Sequence, residues 1–126
     1  MDFELSFTRQ VLGVKAARQL EQHEVTQTIR ASGSDIVQAV ISGKLSAGDR
    51  LQILLDEKPV GCAGLVAVHA VTWAQMDQGD AGRGGFDNLD ELAHALQRAG
   101  YRYQPLEKYL FYRCQFRWLE GAKGDA

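Results

Sequence analysis

Phe3, Leu5 and Phe7 alternate with Glu4, Ser6 and Thr8, and this period of two predicts a half-buried first strand. From Val14 to His23 the chain is rich in Ala, Lys, Arg and Gln, a composition that suits either helix or loop. Val25-Thr26-Gln27-Thr28-Ile29-Arg30 is β-branched at most positions and predicts a second strand. Between Asp35 and Ser42 apolar residues recur three and four apart, which predicts a short helix against the resistance of its own β-branched run. Gly43 to Arg50 carries turn chemistry. Leu51, Ile53 and Leu55 then alternate as a strand, and Pro59 and Gly61 predict the turn that follows. Leu65 to Trp73 is apolar on both faces, the pattern of a strand covered on two sides.

The segment from Asp77 to Gly85 places four glycines in nine residues and predicts a mobile loop. A helix is expected next. Asn88 can cap it, Glu91 stands where a capping-box partner belongs, and Leu89, Leu92, Ala93 and Leu96 form one stripe that Gly100 ends. In the last strand Leu110, Tyr112, Cys114, Phe116 and Trp118 are expected on one face, with Arg113, Gln115 and Arg117 on the other. Strands at short spacing with helices inserted irregularly predict an α+β fold, a small mixed β-barrel with two or three helices. The expected organisation is one domain over residues 1–120 and a flexible tail over 121–126.

The composition suits such a domain. The chain has 126 residues, 45% of them apolar and 24% charged, with a net charge of −2. The negative balance argues against non-specific coating of nucleic acid but leaves room for a local basic cleft. Two cysteines make no disulfide framework, and the acidic start Met1-Asp2-Phe3-Glu4 is not a basic leader, so a cytoplasmic location is expected. The uncharged stretch from Pro59 to Met76 contains Gly, Thr, His and Gln and lacks the sustained apolarity of a membrane span.

Four constellations could carry chemistry. On a strand, Thr26, Thr28 and Arg30 share one face, so two hydroxyls and a guanidinium project together. The guanidinium is a fork suited to phosphate or base edges, although a solvated edge strand would show the same pattern. Lys44 before the Gly48-Asp49-Arg50 turn adds a cation, without the glycine spacing of a phosphate-binding loop. The glycine segment from Gly79 to Gly85 fails the dinucleotide fingerprint, because Asp87 occupies the third glycine position. Tyr101-Arg102-Tyr103, followed by Tyr109, Tyr112 and Arg113, interleaves aromatic and basic residues as in surfaces that stack unpaired bases. His23, His69 and His94 lack ligand spacing with Cys62 or Cys114, so no metal is expected, and no cofactor motif is present. His69 and both cysteines sit in apolar strands and read as core residues.

The order of these motifs resembles the ASCH domain of the PUA-like superfamily. Thr26-Gln27-Thr28-Ile29-Arg30 comes first, then Gly48-Asp49-Arg50-Leu51 and a hydrophobic strand. Gly85-Phe86 before Leu89-Asp90-Glu91-Leu92 follows, and Tyr109 to Trp118 closes the pattern. The resemblance covers about Phe3 to Leu119. It implies a small barrel with a cleft beside the Thr-x-Thr-Ile-Arg strand and binding of RNA or a nucleotide-like ligand. Thr26, Thr28, Arg30, Lys44, Tyr101, Arg102 and Tyr103 are the candidate contacts. Some members of the family are hydrolases of RNA or modified nucleosides, in which case Thr28 and Lys44 are the catalytic candidates. In the amidohydrolase branch a catalytic lysine precedes the Thr of the Thr-Ile-Arg run by three residues, and an acid precedes the second helix. Here those positions hold Val25 and Gly85. A protein-interaction domain with a vestigial cleft is the remaining alternative.

Overall fold

A computed structural model describes residues 2–119, so the tail over 121–126 lies outside the described residues. In chain order the elements are β1 (Phe3–Phe7), α1 (Arg9–Glu21), β2 (Gln27–Ala31), α2 (Asp35–Ile41), β3 (Arg50–Leu55), β4 (Lys58–Val71), α3 (Gln78–Arg83), α4 (Leu89–Arg98) and β5 (Phe111–Trp118). Single 3₁₀ turns at Trp73–Gln75 and Leu106–Lys108 complete them. The strands form one mixed sheet in the order β1-β3-β4-β5-β2, with β1 parallel to β3 and every other pair antiparallel.

The sheet curls into a half-barrel. Leu5, Phe7, Leu51, Ile53, Leu55, Phe111 and Phe116 are all at most 5% exposed and belong to one core cluster. The curl is tight enough that the edge strands β1 and β2, at opposite ends of the strand order, reach one another through a side chain of β2. Helices α1 and α4 pack together beside this opening, burying Leu12, Ala16, Ala17 and Leu20 from one and Leu92, Ala95 and Leu96 from the other. Thr8 caps α1, accepting from the Val11 amide at 3.3 Å. Gly13 kinks that helix at φ 83° and ψ 168°, and Arg98 Nε of α4 donates to the Val11 carbonyl at the break. Asn88 caps α4 as expected, accepting from the Glu91 amide at 2.9 Å, while the Glu91 carboxylate accepts from the Asp87 amide instead of closing the box.

Several sequence-based expectations need correction. Residues 77–85 are not a mobile loop. They form α3, opened by a capping box in which Asp77 and Asp80 accept reciprocally from each other's amides at 3.0 Å. This box, together with the tertiary bonds of Asp80, outweighs the low helix propensity of Gly79 and Gly82. The ambiguous segment after Val14 is helical and begins earlier, at Arg9. The β3–β4 turn falls at Asp56 and Glu57, both left-handed at φ 50° and 71°, and β4 runs through Pro59 and Gly61 with an irregularity opposite Ile53/Leu54. Beyond Leu65, Val66, His69 and Ala70 of β4 are exposed, so this stretch is not covered on both sides and His69 is no core residue. Leu110 is exposed outside β5, and Phe111 is the residue that enters the core.

Candidate functional site

Burial alternates along β2 as the pleat requires. Val25, Gln27 and Ile29 are buried, whereas Thr26, Thr28 and Arg30 are half-buried on the opposite face. Thr28 and Arg30 act as one unit. Arg30 Nε donates to Thr28 Oγ1 at 3.0 Å and Arg30 Nη2 donates to the Ser6 carbonyl of β1 at 2.8 Å. The guanidinium carbon lies 4.9 Å from the centroid of the Phe7 ring, a cation–π distance. Among the described residues no carboxylate forms an ion pair with Arg30. Burial pushes its pKa down, and the nearby Cys114 thiol and Tyr101 phenol act in the opposite sense.

These two side chains line a hollow of about 280 Å³ between the β1 and β2 edges and the α1–α4 pair. Its walls are largely apolar: Phe7, Val11 and Leu12 on one side, Phe86, Leu92 and Leu96 on the other. Tyr101 lines it as well, half-buried, with its ring set edge-on to Tyr109 and Phe111 at 5.2 and 5.3 Å between centroids. Its hydroxyl has no hydrogen-bond partner among the described residues, and neither has Arg30 Nη1. Thr28 accepts from Arg30 through oxygen, so its own proton remains available to a ligand. The hollow therefore offers donors.

Asp80 also lines the hollow, yet it is a structural group. At 1% exposure its carboxylate accepts from Gln27 Nε2 (2.9 Å), Arg83 Nη2 (2.9 Å), Arg113 Nε (2.8 Å), Arg113 Nη2 (2.9 Å) and the Asp77 amide (3.0 Å). Burial alone would raise its pKa, but the donors from Arg113, Gln27 and Asp77 more than offset this and hold the carboxyl well below the usual carboxylate range. Gln27 Oε1 in turn accepts from Arg83 Nε and Gln115 Nε2. The network clamps α3 to β2 and β5 and leaves Asp80 no lone pair with which to act as a base.

The other candidates lie elsewhere. Thr26 does not line the hollow; its amide donates to the Arg83 carbonyl. Lys44 is exposed in the turn after α2, and Arg102 and Tyr103 are exposed beyond Tyr101, where the Arg102 guanidinium lies 5.4 Å from the Tyr103 ring centroid. The α4 wall and Gln27 carried no site signal in the sequence, because an apolar stripe and a strand glutamine read as core and edge. The Asp77-x-x-Asp80 spacing was the one available cue to the clamp. Val25 and Gly85, where the resemblance expects a lysine and an acid, are both buried, and a Cβ on Gly85 would sit 3.2 Å from Val25 Cγ2. Burial pushes the Cys114 thiol up to about 12, which makes it inert as a nucleophile. Among the described residues no group of three His, Cys, Asp or Glu side chains could hold a metal ion, and no helix is long and apolar enough to cross a membrane.

No protein-family model matches the chain, and no curated protein matches it in sequence. Solved structures do. An ASCH domain from Lactobacillus crispatus JV V101 superposes with a TM-score of 0.64 at 14% identity, over 93% of this chain and 79% of that one. Protein EF3133 from Enterococcus faecalis V583, assigned to the DUF984 family, superposes with a TM-score of 0.63 at 15% identity, over 94% of this chain and 80% of that one. The chain has the ASCH-domain fold.

Proposed function

We propose that the protein is a cytoplasmic binding module for RNA or a nucleotide-like ligand, with Thr28 and Arg30 as the contacts that hold it. One observation carries this reading: a half-buried guanidinium lines the hollow and, among the described residues, no carboxylate is paired with it, the Asp80 carboxylate of the same lining being paired with Arg83 and Arg113. A desolvated cation of this kind is costly unless something anionic completes it. The same geometry speaks against hydrolysis. A threonine nucleophile needs a base at its oxygen, and the group bonded to Thr28 Oγ1 is a guanidinium, itself a donor. Asp80 is fully engaged and Lys44 does not line the hollow.

The test is a fluorescence-anisotropy titration of a fluorescein-labelled single-stranded RNA at two salt concentrations. Arg30→Ala is expected to weaken binding by about 1.5–3 kcal/mol, the worth of a hydrogen bond to a charged group. The log–log salt slope of the wild type should shrink in the variant by about 0.7, one phosphate contact's share on a single strand. Binding that is unchanged by the substitution would overturn the assignment of the ligand to this hollow.

A further inference from the structure

The hollow is small and one-sided in its chemistry. Its volume of about 280 Å³ is roughly twice that of a cavity that admits benzene, and lies just under the ~300–1,000 Å³ of ordinary small-molecule pockets. There is room for one ring-sized body and a headgroup. The walls from Val11, Leu12, Phe86, Leu92 and Leu96 suit an apolar or aromatic body. Among the described residues the unpartnered polar groups of its lining are one cationic donor, Arg30 Nη1, and the hydroxyls of Ser6, Thr8, Thr28 and Tyr101, each with a proton to give. The other guanidiniums nearby, Arg83 and Arg113, are committed to Asp80 at 2.9 and 2.8 Å. One cation is therefore left to meet charge on the ligand.

We infer that the site takes a single oxyanion headgroup, a carboxylate or one phosphate, joined to one ring-sized apolar body, so that one unit and not a strand saturates it. This rests on the reading of the hollow as an anion site and narrows it from a nucleic-acid groove to one compartment. The same chemistry is presented by a free aromatic acid and by one nucleotide of an RNA. In both, the headgroup receives Arg30 Nη1 and the Thr28 and Tyr101 hydroxyls, and the ring lies against α4. A longer strand then gains little, because the neighbouring candidate cations Lys44 and Arg102 are outside the hollow.

Isothermal titration calorimetry with matched probes separates the possibilities: benzoate against benzamide, uridine monophosphate against uridine, and oligouridylates of two and ten residues. Each probe is titrated into the wild type, Arg30→Gln and Arg30→Lys. The anionic member of at least one pair is expected to bind at least tenfold tighter than its neutral partner, with one site per chain. Arg30→Gln should abolish that preference, and Arg30→Lys should restore part of it, since charge returns without the bonds to Thr28 and Ser6 that position the guanidinium. Thermal melts of the variants separate loss of the contact from loss of the fold. The ten-residue oligomer should bind within about tenfold of the single nucleotide. If only the long strand binds, in an Arg30-dependent way, the RNA reading stands and the single-unit inference falls. If single anions bind and no RNA does, the inference stands and the RNA reading falls. Neutral and anionic probes binding alike, or no Arg30-dependent binding by any probe, would overturn both.

Discussion

Asp80→Ala is expected to lower the unfolding free energy by about 3 kcal/mol, the lower end of the ~3–5 kcal/mol seen when one partner of a buried ion pair is removed. The lower end applies because the side chains of Arg113 and Arg83 keep 26% and 42% of their exposure and can hydrate when the carboxylate is gone. In a domain of this size the loss corresponds to a fall in Tm of roughly 10 °C, measurable by calorimetry. The pH dependence follows from the same contacts. The folded carboxyl titrates well below the ordinary value, so its stabilisation is fully present above the unfolded pKa of about 3.9. It is lost progressively as pH falls through that value toward the folded one. The wild type should therefore lose stability below pH ~4 more steeply than Asp80→Asn, which has no such proton to bind. Parallel acid limbs for the two proteins would show that the network does not hold the fold.

Gly85→Ala is expected to be nearly as damaging. Gly85 sits at φ +94°, and a Cβ there would lie 3.1 Å from Ala16 Cβ and 3.2 Å from both the Ala16 Cα and Val25 Cγ2. The left-handed backbone costs a non-glycine residue about 1–2 kcal/mol, and forcing a methyl into a packed seam costs about 1–3 kcal/mol more. A loss of about 2–5 kcal/mol should appear in urea denaturation. Gly82→Ala in α3 is the matching control. Nothing lies within 4 Å of its Cβ position and its φ is not left-handed, so the substitution should stabilise by up to about 1 kcal/mol. The Gly85 result also bears on chemistry. Positions 25 and 85, where the resemblance expects a lysine and an acid, hold a buried valine and a buried glycine packed side by side.

How legible these features were in the sequence depended on how local their causes are. Alternation located β1, β3 and β5, a β-branched run located β2, and the Asn88 cap with its apolar stripe located α4, because each signal lies within a few neighbouring residues. Helix α3 was hidden. Its glycines argue for a loop, and what fixes it is a reciprocal Asp77–Asp80 cap anchored by Gln27 and Arg113 from distant strands. The β3–β4 turn was misplaced toward Pro59 because Asp56 and Glu57 adopt left-handed backbone without a glycine to advertise it. At the site, Thr28 and Arg30 were legible through the pleat, and Tyr101 through its aromatic cluster. Lys44, Arg102 and Tyr103 were grouped with them by charge and aromaticity alone, and the chain carries them outside the hollow. The α4 wall could not be read as part of a site, since an apolar helix face looks the same whether it meets core or ligand.

The central claim is that the ligand meets the guanidinium of Arg30. The side-chain Nε–H resonance of Arg30 in ¹⁵N-labelled protein, followed while a short single-stranded RNA is added, reports on this guanidinium and its bond to Thr28. The account expects this signal to move together with the backbone amides of Thr28 and Tyr101, saturating with one ligand per chain. Shifts confined to Lys44, Arg102 and Tyr103, with the Arg30 signal unmoved at saturation, would contradict it.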